Sequence, residues 1–441
     1  MSDTAAGPDE AATVDCDPHT AGRSTRPPYP SSPAGRGLAT VSAVEIGGDG
    51  GDGGTEADQG PRRTALVHDF LLDVRGAERV FLVMCEMWPE ADVFTAVYDE
   101  RGTEGRFAHR RVRASFLQRL RPTARSFRAL LPLYPRAMEA LDLSAYDLVV
   151  SSSSAWAHGV RVGPGAVHVC YCHNPFRYAW SAREATLARF GGVARRVLGA
   201  ILQRWRGWDR RAAARVDLYV ANSETTRERI RRFWGREARV VHPPVQTGRF
   251  TPRGVAKSGG PAREAPHLVL SELVSHKRIE VAVKAFNRLG RPLVVVGDGP
   301  ESARLARLAG PTVHLEGRVS DGRVAELLQS CRALVVTATE EFGIAAVEAQ
   351  AAGRPVIALA EGGVRETVEE DRTGVFYAPS DPDALAAAVA RCEALDIDPA
   401  TCAANAARFD VARFETGLRA AVDEAWTRNR GAGGASLSRS G

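Results

Sequence analysis

Residues 332–359 read RALVVTATEEFGIAAVEAQAAGRPVIAL, and this stretch decides the fold. RALVVTAT and RPVIAL are short apolar runs rich in β-branched residues, as buried strands are. Between them, AVEAQAAG reads as a helix closed by Gly353. A strand, a crossover helix and a second strand make one unit of a parallel α/β sheet. Ligands of such sheets bind beyond the carboxyl ends of the strands. At that end stand Glu340, Glu341, Phe342, Gly343 and Ile344. Gly343 and Ile344 open the helix, so their free N–H groups suit a phosphate or sugar oxygen. Glu348 lies about a turn further on, where a carboxylate can accept from both vicinal hydroxyls of a ribose.

The same alternation extends both ways from this unit. HLVLSEL, PLVVVGDG, TVHLEG and GVFYA supply further strands around it, with helices over 278–289 and 324–330. Asp381 and Pro382 predict a capped helix start ahead of a helix over 383–395. Upstream, ALVHD, DVFTAVYD, YDLVVSSS, AVHVCYCH, VDLYVANS and ARVVHPP form an earlier strand series. Helices are predicted between several of them, over 182–215 and 224–234 among others. The chain therefore reads as two doubly wound α/β domains, 63–245 and 267–428, facing each other across an interdomain cleft. The Gly-, Pro- and Ser-containing stretch 246–266 is the linker. A final helix of the second domain can return to the first.

Residues 1–62, with GGDGGDGG, lack the apolar surface that would offset ordering entropy and are expected to be a disordered acidic tail. Residues 429–441 are expected to be a second disordered tail. A start codon further downstream is an alternative for part of the first.

The chain has 441 residues, a formal net charge of +5 and ordinary apolar and charged fractions, which excludes a collagen, a small disulfide scaffold and a wholly disordered chain. The first 63 residues hold ten acids and five bases, so the rest is markedly basic. Only three of the 58 basic residues are lysines: Lys257, Lys277 and Lys284. The seven cysteines form no paired framework, the N-terminus has no signal-peptide pattern, and no run approaches the ~20 apolar residues of a membrane span. These features predict a reduced cytoplasmic protein.

Other residues join the candidate site. Lys277, in the loop after HLVLSEL, faces the same cleft and can clamp a diphosphate as a point charge. Gly76 opens the helix GAERVFLVMCEMW and would let backbone approach a diphosphate from the other domain. His173 emerges at the end of the strand AVHVCYCH. Cys170 and Cys172 beside it suggest zinc only weakly, because no second ligand pair stands nearby; they are read as packed, and no metal is expected. Gly297-Asp298-Gly299 approaches a dinucleotide fingerprint, with Glu316 near the place of a ribose-binding acid. It lacks the last glycine and does not follow the first strand of its domain, so a glycine-lined turn explains it better than an NAD site.

Taken together these residues resemble the retaining glycosyltransferases of family 4, which have two facing Rossmann-like domains (the GT-B fold). The spacing of Glu340 and Glu348 is similar to that family's paired-glutamate signature. The resemblance also runs through VHDFL, GAERV, VANSE, VVVGDGPE, GGVRETV and TGVFYAP. YCHNPFRYAW and VVHPPV look most like bacterial mannosyltransferases of O-antigen and exopolysaccharide assembly. The resemblance implies that Glu348 binds the nucleotide ribose and that Glu340 lies by the donor sugar. It implies backbone contacts from Phe342, Gly343 and Ile344, a diphosphate held by Lys277 and Gly76, and His173 beside the transferred sugar. It implies front-face attack with retention, no tightly bound cofactor, and a nucleotide sugar, GDP-mannose, as donor. Two positions depart from the pattern. Glu272 stands where the family usually has an arginine, so either Glu272 points away, or Arg278 or Arg318 supplies that charge, or activity is impaired. Arg75-Gly76 replaces the usual glycine pair.

Residues 101–136 hold ten arginines and one acid, and 177–215 hold ten arginines and two acids. With FLQRL, FRALLPLY and RWRGW among them, they suit an anionic membrane surface carrying a lipid-linked glycan acceptor, at the inner face of the cell membrane. No recognition motif accompanies the charge, so nucleic acid is not an expected partner. A degenerate, non-catalytic module that binds glycan or nucleotide is the alternative from another class.

Overall fold

The computed structural model describes residues 62–124, 126–250 and 265–437. The expectations placed on 1–61, on most of the linker (251–264) and on 438–441 lie outside the described residues.

The first sheet contains β1 (Thr64–His68), β2 (Asp92–Thr95), β3 (Val112–Ala114), β4 (Leu148–Ser153), β5 (Val167–Cys172), β6 (Leu218–Ala221) and β7 (Ala238–Val240). Its order is β3-β2-β1-β4-β5-β6-β7, all parallel. The second contains β8 (His267–Leu270), β9 (Leu293–Val296), β10 (Val313–Gly317), β11 (Leu334–Val336), β12 (Val356–Leu359) and β13 (Gly374–Tyr377). Its order is β10-β9-β8-β11-β12-β13, again all parallel. Strand order reverses between β1 and β4 and between β8 and β11, which opens a crevice at the carboxyl end of each sheet. This is the GT-B fold. Both sheets are covered on two faces by apolar layers, so their strands are apolar runs rather than alternating ones. Every residue of β4 and β5 is buried.

Local chemistry places the helices. Glu78 accepts from the Arg75 backbone N–H at 3.0 Å and closes a capping box that starts Gly76–Met87. Ser223 caps Glu224–Trp234 by accepting from the Thr226 N–H at 3.1 Å. Asp381 accepts from Asp383 and Ala384, both at 2.9 Å, at the start of Pro382–Ala394.

Three features differ from the sequence reading. The helix expected over 182–215 is two, Arg183–Leu187 and Gly192–Ala213, because Gly191 and Gly192 interrupt it and Gly192 takes φ +52°. Strand β3 was not expected. It is a three-residue edge beside Arg110 and Arg111, with no apolar run to mark it. The last helix, Val411–Leu437, continues past position 429. That helix packs Phe414, Leu418, Val422 and Trp426 into one apolar cluster with Phe81, Val169 and Tyr171 of the first half. The chain thus returns from the second sheet to the first and ties the two together. Among the described residues, no helix is long and apolar enough to cross a membrane.

Candidate active site

The loop after β11 is held by glycines. Gly343 takes φ +93°, a left-handed conformation that turns the chain into the helix Ile344–Ala351. Beneath it the Gly363 N–H donates to the Glu340 carbonyl at 2.8 Å. This seat directs the Glu340 side chain toward the loop after β8, where the Lys277 Nζ donates to both of its carboxylate oxygens, at 2.6 and 2.7 Å. The Thr337 hydroxyl donates to the Lys277 carbonyl at 2.6 Å and fixes the two loops together. They meet because β8 and β11 are neighbours across the order reversal.

Glu348 is buried, with an Arg79 guanidinium nitrogen 3.8 Å from its carboxylate. Burial pushes its carboxyl above the usual range, and Arg79 and Arg249 only partly offset this while Asp321 adds to it. A carboxylate so placed gains from any hydroxyl donor brought to it. Phe342 is different: its ring is buried against His242 and Phe409, so only its backbone is offered to the cleft.

From the first half, a Cβ added to Gly76 would stand 3.5 Å from the Ile344 side chain. Gly76 opens its helix and Ile344 opens the facing one, so two helix N-termini meet across the cleft. Donor N–H groups and positive dipole ends of both halves therefore face one place. His173 follows β5, and its Nε2 lies 2.8 Å from Ser152 Oγ, which lies 3.0 Å from His68 Nδ1. Burial, with His68 nearby, pushes the His173 imidazole down to about 3, so it is neutral at physiological pH. Asp69, just past β1, accepts backbone N–H bonds from Ser154, Ala155, Trp156 and Ala157, which fixes the ends of β1 and β4.

Several contacts between the halves escaped the sequence reading. Glu341 turns away from Glu340 and accepts from Arg177 at 2.7 Å and Arg229 at 3.3 Å, both in the first half. Burial would raise its carboxyl, but Arg177, Lys277 and Arg229 together hold it below the usual range. Glu366 accepts from the Glu224 and Thr225 N–H groups at 2.9 and 3.2 Å, at the start of a first-half helix. Nothing in the sequence links residues so far apart.

The two departures from the family pattern touch each other. Arg75 Nη1 lies 2.8 Å from Glu272 Oε1. Arg318 pairs with Asp73 at 3.0 Å, while Arg278 is exposed at φ +52°. Gly297 and Gly299 are required by packing: a Cβ would stand 1.8 Å from the Ser271 carbonyl oxygen and 2.3 Å from that of Leu273, respectively. Glu316 pairs with Arg323 at 2.8 Å. Cys170 and Cys172 are buried in the core, and burial pushes both thiols up. Among the described residues no group of three or more His, Cys, Asp or Glu could hold a metal ion.

Two sequence families match this architecture half by half. Glycosyltransferase Family 4 covers residues 74–249, and Glycosyl transferases group 1 covers 256–409. The chain belongs to glycosyltransferase family 4. Among similar proteins, the D-inositol 3-phosphate glycosyltransferase of Streptomyces avermitilis is 29% identical over 55% of this chain and 56% of its own. The GDP-mannose-dependent alpha-(1-6)-phosphatidylinositol monomannoside mannosyltransferase of Mycolicibacterium smegmatis is 30% identical over 48% of this chain and 65% of its own. The family 4 chain thus spans less than two thirds of the length of these curated relatives. In structure it is similar to Anabaena HepE, crystallised with UDP and glucose, with a TM-score of 0.59 at 18% identity over 82% of this chain and 100% of that one. It is also similar to a Thermosynechococcus elongatus sucrose-phosphate synthase, with a TM-score of 0.58 at 19% identity over 86% of this chain and 100% of that one. At these identities the structural likeness establishes the fold alone.

Proposed function

We propose that this chain is a retaining glycosyltransferase that moves a hexose from a nucleotide sugar to a lipid-linked or cell-envelope glycan. The observation that carries the reading is the meeting of Lys277, Glu340, Glu348 and two helix N-termini at the carboxyl ends of both sheets. Lys277, Gly76 and the N–H groups of Gly343 and Ile344 would hold the diphosphate, and the buried Glu348 carboxylate would accept from the ribose. Cations and helix dipoles aimed at the leaving diphosphate stabilise the charge that develops on it. The bond from the anomeric carbon to the leaving phosphate oxygen breaks as the acceptor hydroxyl attacks the same face. The hydroxyl proton passes to the departing phosphate. Neutral His173 would hydrogen-bond the transferred sugar, and Glu340 would lie beside it.

Mannose from GDP-mannose is the donor this reading favours, supported by the YCHNPFRYAW and VVHPPV phrases and by the mannosyltransferase among the relatives. The enzyme would work in the cytoplasm, peripherally at the inner face of an anionic membrane. Exposed Phe116, Leu120, Phe190, Val193 and Val197 lie within its arginine-rich stretches, which supports that surface. A thermal-shift panel of GDP, UDP and ADP tests the donor, with stabilisation expected from GDP. Labelled GDP-mannose incubated with a membrane extract tests transfer. Glu272, within the same loop as Lys277, favours a second reading as a non-catalytic binding module. Tight nucleotide binding without sugar transfer or donor hydrolysis would select it.

A further inference from the structure

We infer that Arg75 is a donor-binding residue contributed by the first half of the molecule, and that Glu272, its ion-pair partner, competes with the donor for it. The inference rests on the reading of the cleft as a nucleotide-sugar site. Arg75 immediately precedes Gly76, where an added Cβ would stand 3.5 Å from the side chain of Ile344 at the start of the facing helix. Its guanidinium reaches across the cleft to Glu272 at 2.8 Å, in the loop that also carries Lys277. It reaches back to Asp73 at 3.3 Å, and Asp73 is in turn held by Arg318 at 3.0 Å. The four side chains form an alternating chain of charge across the opening of the cleft.

Exposure sets how firmly this chain holds. The Arg75 and Glu272 side chains are 48% and 37% exposed, so the pair lies in water-screened surroundings and contributes little stability of its own. A diphosphate at the Gly76–Ile344 meeting point would offer the guanidinium a doubly charged, bidentate partner in place of one carboxylate. Glu272, left on the Lys277 side, would then repel that diphosphate. Arg75 therefore favours donor binding and Glu272 opposes it, although the two are ion-pair partners.

This opposition separates a binding role from a structural one. Arg75→Gln and Glu272→Gln remove the same ion pair, so a pair that only braced the two halves would give both variants the same sign of effect. Calorimetric titration of GDP and UDP into the full chain is the measurement, with thermal unfolding alongside to establish that each variant folds. Arg75→Gln is expected to weaken the tighter-binding nucleotide roughly tenfold or more, the effect of one charge-assisted phosphate contact. Glu272→Gln is expected to tighten it severalfold. Effects of the same sign overturn the inference. So does wild-type affinity in Arg75→Gln while Lys277→Ala has lost binding, a result that leaves the donor-site reading in place. If the wild-type chain binds neither nucleotide and Lys277→Ala behaves identically, the reading itself fails and the inference falls with it.

Discussion

Gly363→Ala tests whether the position of the Glu340–Glu341 loop carries the site. Gly363 has φ −68°, a backbone any residue adopts, so the question is one of space alone. A Cβ there would stand 2.2 Å from the Glu341 carbonyl oxygen, 2.5 Å from the Phe342 Cα and 2.6 Å from the Glu341 carbonyl carbon. Ordinary carbon contacts lie at about 3.5–4.0 Å, so the loop must retreat by about 1 Å. The atoms that must move are backbone, and no side-chain rotation relieves them. Overpacking of this kind costs about 1–3 kcal/mol of stability. The larger effect falls on function, because Glu340 and Glu341 ride on the displaced backbone, and a misplacement of about 1 Å costs on the order of 10²-fold in rate. Sugar transfer from a labelled nucleotide sugar, measured beside thermal unfolding, is therefore expected to fall far more than stability does. Gly322→Ala is the control, since its nearest neighbour would be the Ser320 hydroxyl at 4.0 Å, and it should be silent or slightly stabilising. Wild-type turnover in Gly363→Ala would refute the argument that loop position governs the donor site.

Lys277→Ala or Glu348→Ala is expected to abolish nucleotide-sugar binding by calorimetry, and normal binding by both would remove the donor-site assignment. Glu348→Gln preserves shape but discards a buried charge whose carboxyl burial has pushed up. Its melting temperature near neutral pH should equal or exceed that of the wild type while donor binding is lost, and a large drop in melting temperature would contradict the burial argument. Acid should destabilise the fold. Burial, helped by neighbouring charges, holds His168 and His173 down to about 3 and His267 down to about 4. The unfolded chain takes up these protons near pH ~6.5 and the folded chain does not, so the stability they contribute is complete above that pH and declines as pH falls toward 4. Glu348 acts with the opposite sign, one group against three. A urea midpoint that stays flat from pH 7 to 4.5 would contradict this balance.

What the sequence made legible, and what it hid, follows from how far each contact reaches along the chain. All six strands of the second sheet lie within the apolar runs read from the sequence, because a parallel sheet covered on both faces gathers its core residues into such runs. Strand β3 has no such run, being three part-buried residues at an edge. The placement of Glu340, Gly343, Ile344, Lys277 and Glu348 in strand-end loops and the helix after one of them was legible, because those loops and helices follow the apolar runs directly in the sequence. The pairs of Glu341 with Arg177 and Arg229, and of Arg75 with Glu272, were not. They depend on which faces of the two halves meet, and the helix Val411–Leu437 lying back on the first sheet contributes to that. Nor could a net charge of +5 show how charge is spent at the cleft. There Lys277, Arg75, Arg79, Arg177 and Arg318 each already face a carboxylate. On the proposed reading, a diphosphate entering such a site would exchange one anion for another on Lys277 and Arg75 and strip little water from bare cations. Donor affinity should then be governed by which carboxylates release their partners, and mutations of the acids should be as informative as mutations of the bases.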